Sequence, residues 1–432
     1  MAGRVYIPLD DETPSVRRDA ICDDAGVSLI LADSPLDGPW TACAAVGTLT
    51  LWRRPAPVTL PPLPEDVAYI VFTSGSTGVP KGCLVRETGL SEMLGAIAGH
   101  IGASDDDRWS CLHSFSFDVS VYEMWAPLVL GATVSVLSED ARRDPASLLE
   151  ELGSARTTIV SLTPSLLSIL LTELAIERVE LPDVRHVLLA GEAIRLPDIA
   201  RLFSSGVMPH ARVWNLWGIS EGTVHCTIRE ITPGVLSADW SHGTPIGRPL
   251  PHLEVTLRDL DPASEDDPGA GEMVVQGSGV AWGYLNRPEL TDETFELEPG
   301  SGLARYRSGD WARLVDGELL YVGRRDNQVK IRGFRVELEE VEAALTHVES
   351  VRAAACVALR LQNREDVVLG CVIEAPRDVD QAGIRRSLQQ RLPSFMVPER
   401  MLVVDEMPLT PNGKSDRSRV ARLLGAAEAG ES

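Results

Sequence analysis

The stretch Thr73-Ser-Gly-Ser-Thr-Gly-Val-Pro-Lys-Gly82 carries the clearest chemistry in the chain. Glycines at 75, 78 and 82 let the backbone turn tightly and approach a ligand, so that its N–H groups can converge on an anion. Hydroxyl side chains at Thr73, Ser74, Ser76 and Thr77 add donors, and Lys81 adds a cation. The Gly-Lys-Ser/Thr ending of a Walker loop is absent, and the same composition also suits an ordinary turn. A second candidate is Asp118, set among apolar neighbours in Phe115-Ser-Phe-Asp-Val-Ser-Val-Tyr122. A carboxylate buried there is costly without a counter-ion, so the position asks for a cationic partner; an exposed turn is the alternative. Taken alone, Gly309-Asp310 reads as a turn, Trp217 as core packing, and Lys414 in Asn412-Gly-Lys414 as a solvated surface group.

A formal net charge of −23 argues against bulk affinity for nucleic acid or an anionic membrane, which both reward lysine and arginine. Any anionic ligand must therefore be held by local chemistry, which returns attention to the loop at Thr73. No apolar run reaches membrane-spanning length, and Met1-Ala-Gly-Arg-Val-Tyr6 is not a signal-peptide pattern. The seven cysteines are dispersed without metal-ligand spacing and read as small buried hydrophobes of a reducing cytoplasm.

The elements that must position these groups alternate in type. Tyr69–Phe72, Thr133–Leu137, Thr158–Ser161, His186–Ala190 and Arg212–Asn215 read as strands, with helical periodicity over Ala146–Leu152 and Pro164–Leu174. That alternation predicts a layered α/β body with mostly parallel sheet. Short strands over 243–323 predict a β-rich subdomain. Beyond Asp326 the pattern becomes a small α+β unit: strand Gln328–Ile331, helix Glu339–Thr346, strand Ala354–Leu359, helix Gln381–Arg391. The division predicted is a large domain over 1–325 and a small mobile one over 326–432. Pro57–Pro64 reads as a stiff connector and the low-complexity end Ala426–Ser432 as frayed.

The loop at Thr73 resembles the signature loop of the adenylate-forming superfamily, which includes nonribosomal peptide synthetase adenylation domains, acyl-CoA synthetases and firefly luciferase. Further stretches resemble the superfamily's motifs in the same order: Trp217-Gly-Ile-Ser-Glu221, Gly271 to Leu285, Tyr306-Arg-Ser-Gly-Asp310, Gly323 to Glu337, Leu392 to Pro398 and Asn412-Gly-Lys-Ser-Asp-Arg417. Together they span almost the whole chain. The opening Arg4 to Asp11 resembles a motif normally met well inside the large domain, so a leading segment of the usual fold is expected to be missing. Glu339 stands where the family usually has glycine, and Trp217, Ser220 and Ser308 are milder departures.

The resemblance implies ATP and Mg²⁺ as cofactors and assigns roles residue by residue. Thr73, Ser74, Gly75, Ser76, Thr77, Gly78 and Lys81 would hold phosphates; Gly191, Glu192 and Ala193 would line the adenine site, Trp217 would stack on the adenine where the family usually has tyrosine, and Gly218 would follow it. Glu221 would hold the metal, Ser220 the α-phosphate, Asp310 the ribose hydroxyls and Arg324 the ribose or phosphate. Arg325 reads as surface. Asp326 would be the hinge, and Lys414 the catalytic lysine bridging the attacking carboxylate and the α-phosphate. Asp118 would pair with the α-ammonium of an amino acid. Val119, Tyr122, Ser161, Leu188, Ala190, Leu216, Val224 and His225 would line its side-chain pocket. That lining implies a small neutral amino acid, proline or similar, with threonine or serine also open. The expected product is aminoacyl-AMP, passed to the phosphopantetheine thiol of a separate carrier protein, since no carrier domain follows in this sequence. Arg385, Arg386 and Arg391, or Arg417, Arg419 and Arg422, are candidate docking groups for that acidic partner. The rival readings are an acyl-CoA or aryl-CoA synthetase, disfavoured by Asp118, and a non-catalytic relative.

Overall fold

The computed structural model describes residues 5–55, 62–75, 79–177, 179–238, 240, 243–258, 269–297, 304–360, 366–410 and 415–430. Strands Thr133–Val136, Arg108–Cys111, Ile159–Leu162, His186–Leu189 and Arg212–Trp217 lie side by side in parallel. Ile159–Leu162 and His186–Leu189 are buried at every residue, which is why they read as mostly apolar runs broken only by Ser161 and His186. Their alternation assigns the faces. Ile159, Leu188 and Leu216 join one core with Met93, Ile97 and Tyr122, while Val160, Val187 and Leu189 join another with Leu148, Leu170 and Ile199. The helix Pro145–Ser154 shows what places such covers. Asp144 caps it by accepting from the Ser147 N–H at 2.9 Å, worth about 1 kcal/mol. Burying Leu148, Leu149 and Leu152 contributes about 1.5–3 kcal/mol apiece, so packing decides the helix and the cap sets its start.

The expected β-rich subdomain does not stand apart. Arg212–Trp217 pairs antiparallel with Thr227–Ile231, because the short link between them is too brief for a parallel crossover. Thr244–Pro249, Glu318–Arg324, Ala304–Val315, Gly271–Gly277 and Leu253–Arg258 then extend the same hydrogen-bonded sheet, which reaches twelve strands among the described residues. A second expectation is corrected: Tyr69–Phe72 is not a strand of the parallel sheet. It belongs to Val67–Thr73, which pairs antiparallel with Lys81–Arg86 in a two-stranded hairpin. Thr73 and Lys81, the ends of the phosphate loop, pair across this hairpin, and Tyr6 bridges Tyr69 in parallel on its outer edge.

Beyond residue 326, the strands Ala353–Arg360, Val367–Glu374 and Arg400–Val404 form a small sheet under the helices Leu338–Thr346 and Gln381–Gln389. Their apolar clusters begin at Ile331, and the clusters of the preceding body end at Leu319. Part of the Pro57–Pro64 connector lies outside the described residues. The helix Arg417–Gly430 carries regular backbone through most of the end expected to fray. Six cysteines are buried as expected, whereas Cys43 is exposed. Among the described residues no helix is long and apolar enough to cross a membrane.

Candidate active site

The carboxyl ends of the parallel strands open into a cleft of about 300 Å³, the place where open α/β sheets take their ligands. Asp118, Ala190, Gly191, Ser220 and His225 wall it from the large body. A two-residue hairpin roofs it: Gln328–Ile331 and Phe334–Glu337 pair antiparallel through Arg332 (φ 50°) and Gly333 (φ 86°). Two successive positive φ values fit a primed turn, and only glycine serves at 333. A Cβ there would meet the Thr163 side chain at 2.9 Å and the Phe117 ring at 3.2 Å. Phe334 stacks on Phe395 at 4.0 Å between ring centres and leans on Phe117 at 5.1 Å, fixing the roof over the cleft.

On one side of the cleft the acidic groups are buried and paired. Asp310 is fully buried, paired with Arg324 at 3.0 Å and accepting from the Tyr321 hydroxyl at 3.2 Å. Among the described residues its Oδ2 has no hydrogen-bond partner, which leaves one buried acceptor open. Arg324 also holds Asp326, so the expected ribose, phosphate and hinge residues form one ionic cluster. Glu221 sits on a 3₁₀ turn after Arg212–Trp217 and is fully buried. Its Oε1 accepts from the Tyr284 hydroxyl and its Oε2 pairs with Arg335 at 2.9 Å. Burial pushes the carboxyl up, but Arg335, Lys81 and the Tyr284 hydroxyl outweigh it and hold the group at about 2. Lys81 lies 3.8 Å from Glu337 and over the Tyr284 ring, its amine lowered chiefly by burial. Ser74 donates to the Arg335 carbonyl and accepts from the Glu337 N–H; Gly75 donates its N–H to Glu340 at 3.1 Å. The Thr73 hydroxyl is buried without a partner among the described residues.

On the other side the buried groups lack counter-ions. Asp118 precedes the helix Val119–Leu130 and is buried, and the Ser220 hydroxyl donates to it at 2.5 Å. Among the described residues it makes no ion pair. Burial raises its carboxyl above the usual range, and the Ser220 bond and the charges of Lys330 and Arg335 offset this only in part. His225, buried and lowered to about 3 by burial and by His113, is a neutral ring set edge-on to Tyr122 at 5.4 Å. It follows a strained turn in which Thr223 (φ 62°) and Val224 (φ 64°) both adopt the left-handed region. For β-branched residues that conformation costs about 1–3 kcal/mol each. The bond from Thr223 Oγ1 to the Gly279 carbonyl at 2.6 Å and close packing at Gly218, where a Cβ would meet Val224 O at 1.8 Å, hold it.

Asp118, Val119, Ala190, Val224 and His225 therefore line the cleft, while Tyr122, Ser161, Leu188 and Leu216 are buried behind it. Trp217 is buried, its indole N–H without a partner among the described residues, beside Gly191, Glu192 and Ala193 around a void of only about 20 Å³. Glu192 accepts from Ser165 and from the Gly333 N–H at 2.8 Å, tying the adenine-side segment to the roof. Ser76, Thr77, Gly78 and Lys414 lie outside the described residues. Arg325 is exposed, as expected, and its guanidinium lies over the Trp311 ring at 3.6 Å. Among the docking candidates, Arg417 is committed to Glu339 and Glu342, and Arg385 to the carbonyls of Pro398 and Glu399.

Three residues escaped the expectations: Lys330 and Arg335, which line the cleft, and Tyr284, which holds Glu221 behind it. Lys330 lines both the cleft and the small void; burial lowers its amine, against the attraction of Asp310. The alternation Gln-Val-Lys-Ile could have pointed to it, because Val329 and Ile331 face the C-terminal core and leave Lys330 on the other face. The expected nucleotide would find a buried acceptor in Asp310 Oδ2 for a ribose hydroxyl and a cation in Lys81 beside the loop. The carboxylate expected at magnesium, Glu221, is paired with Arg335, and among the described residues there is no cluster of three or more ligating side chains. A divalent cation there would have to displace the Arg335 guanidinium and take its remaining ligands from phosphate oxygens and water.

Comparison with known proteins follows the same lines. Residues 1–285 match the family profile of AMP-binding enzymes, and residues 340–414 match that of the AMP-binding enzyme C-terminal domain. A dimodular nonribosomal peptide synthase of Bacillus subtilis is 35% identical over 447 residues, covering 96% of this chain and 18% of that protein. Phenyloxazoline synthase MbtB of Mycobacterium tuberculosis is 36% identical over 434 residues, covering 98% of this chain and 30% of that protein. The chain thus spans well under half the length of these relatives. Among solved structures, holo-PA1221, an NRPS protein containing adenylation and PCP domains, superposes with a TM-score of 0.78 at 28% identity, over 97% of this chain and 71% of that one. The Vibrio cholerae adenylation domain AlmE, in complex with glycyl-adenosine-5′-phosphate, does so with a TM-score of 0.71 at 26% identity, over 84% of this chain and 66% of that one.

Proposed function

Because the chain belongs to the AMP-binding enzyme family, we propose that it activates a small neutral amino acid with ATP and passes the acyl group to a carrier protein. The observation that carries the amino-acid reading is Asp118, a buried carboxylate with no ion-pair partner among the described residues. An α-ammonium would supply the missing charge, whereas a fatty or aryl acid would leave it unpaired. The AlmE complex, which holds a glycyl adenylate, and the PA1221 structures, which join adenylation and PCP domains, support the substrate class and the partner. Proline or a similar residue suits the side-chain end, which Val119, Ala190 and Val224 line; the neutral His225 leaves threonine or serine open.

In the first step an oxygen of the amino-acid carboxylate attacks the α-phosphorus, and the bond to the bridging oxygen of the β-phosphate breaks with loss of pyrophosphate. Asp118 holds the ammonium, Asp310 accepts from the ribose, the Thr73–Lys81 loop donates to the phosphates, and Lys414 bridges the attacking oxygen and the α-phosphate. Magnesium on Glu221 would neutralise charge on the phosphate oxygens. In the second step a phosphopantetheine sulfur attacks the acyl carbon, its proton is lost, and AMP departs with the bonding electrons. Residues 1–325 and 326–432 are the two units that this chemistry would rearrange about Asp326, and their separate apolar clusters support that division. ATP–pyrophosphate exchange over a panel of amino, aryl and fatty acids tests the reading. Exchange with one small neutral amino acid is expected, and exchange only with acids lacking an α-amine would overturn it.

A further inference from the structure

The groups assigned above to magnesium and to the polyphosphate tail are filled here by one stretch of the chain itself. The Arg335 guanidinium lies 2.9 Å from Glu221 Oε2, a cation on the carboxylate assigned to the metal. Glu340 Oε2 accepts the Gly75 N–H at 3.1 Å, an anionic oxygen on the loop assigned to phosphate. Glu340 is also paired with Arg17, and Glu337 lies 3.8 Å from Lys81, the loop's cation. Between them Ser74 is clamped by the Arg335 carbonyl and the Glu337 N–H. All of these partners fall within residues 335–340, from the end of Phe334–Glu337 into the first turn of Leu338–Thr346. The signs match the ligand: positive charge where a divalent cation is expected, carboxylate oxygen where phosphate oxygen is expected. The rest of the cleft is not filled in this way. Among the described residues Asp310 Oδ2 has no hydrogen-bond partner, and about 300 Å³ stays open beside Asp118.

We propose that Arg335 and Glu340 form an internal stand-in for magnesium polyphosphate, so that this arrangement accepts an adenosine monophosphate ester and excludes Mg·ATP and Mg·pyrophosphate. The inference rests on the adenylation reading and extends it: Arg335 is a positioning residue that keeps the buried Glu221 compensated while no divalent cation is there. A competitor within the chain lowers the apparent affinity of the ligand it mimics by the fraction of molecules in which it is seated. Removing it should therefore tighten binding, a gain that loss of structural support would not produce.

The test is calorimetric titration of the full chain with Mg·pyrophosphate, Mg·ATP and AMP, in wild type, Arg335→Met, Arg335→Lys and Glu340→Gln. Arg335→Met leaves Glu221 buried and unpaired, so Glu340→Gln, which keeps that pair, guards against a variant that fails to fold. The stand-in predicts Mg·pyrophosphate and Mg·ATP binding tighter by about threefold or more in Arg335→Met and Glu340→Gln, with AMP unchanged and Arg335→Lys close to wild type. Unchanged or weaker Mg·pyrophosphate binding in both variants, from a wild type that exchanges pyrophosphate, overturns the stand-in and leaves the adenylation reading standing. No nucleotide binding by any form, with no exchange by wild type, overturns both.

Discussion

The two sides of the cleft handle buried charge in opposite ways. Toward the nucleotide, Glu221 has Arg335, Asp310 has Arg324 and Lys81 has Glu337, each partner coming from residues 324–337. Toward the acyl group, Asp118 has a serine hydroxyl and a neutral histidine nearby, and no ion pair among the described residues. An ion pair that keeps both charges compensated can persist without ligand. A lone buried carboxylate cannot do so cheaply, and its charge is compensated best when a cation is bound. On the proposed reading the difference separates the two ligand groups: exchangeable, metal-bound phosphates on the first side, and a fixed ammonium on the second.

The largest effect is expected from breaking a pair on the nucleotide side. Arg324→Met would leave the fully buried Asp310 with only the Tyr321 hydroxyl, and should cost about 3–5 kcal/mol in denaturant unfolding. A loss below about 1 kcal/mol would show that Asp310 never relied on its arginine. Next is Lys414→Ala, which should lower pyrophosphate exchange by about 100- to 1000-fold while AMP binding, titrated directly, stays within about threefold. Exchange within tenfold of wild type would remove Lys414 from the reaction. On the acyl side the sign reverses. Asp118→Asn relieves an uncompensated charge and should leave stability unchanged or raise it by about 1 kcal/mol. Because burial raises the Asp118 carboxyl, the folded protein binds more protons than the unfolded chain between the ordinary and the raised value. Wild-type stability should therefore fall as pH rises through that window, and the variant should not follow. Parallel melts of the two proteins across the carboxylate range would read the difference, and coincident pH profiles would contradict it.

Much of this was legible in the sequence, for identifiable reasons. The parallel core shows as apolar runs such as Val187-Leu-Leu189 in His186–Leu189, because strands covered on both faces have no polar side to display. Asp118 shows because a charged residue in such surroundings is conspicuous. The hairpin at Val67–Arg86 did not show, since a seven-residue buried strand reads alike in parallel and antiparallel sheet. Nor did Arg335 on Glu221 or Glu340 on Gly75, contacts across 114 and 265 residues that no local spacing encodes. Ser220 was assigned to a phosphate by its motif, whereas its hydroxyl turns to Asp118, a rotamer choice invisible in sequence.

The central claim, that Asp118 awaits an ammonium, is tested most directly by pyrophosphate exchange with wild type and Asp118→Ala over matched pairs of acids differing only in the α-amine. The account predicts that wild type favours the amino member of the preferred pair and that the variant loses about 2 kcal/mol or more of that preference, about 30-fold in kcat/KM. Equal use of both members by wild type, with the variant unchanged, would contradict it.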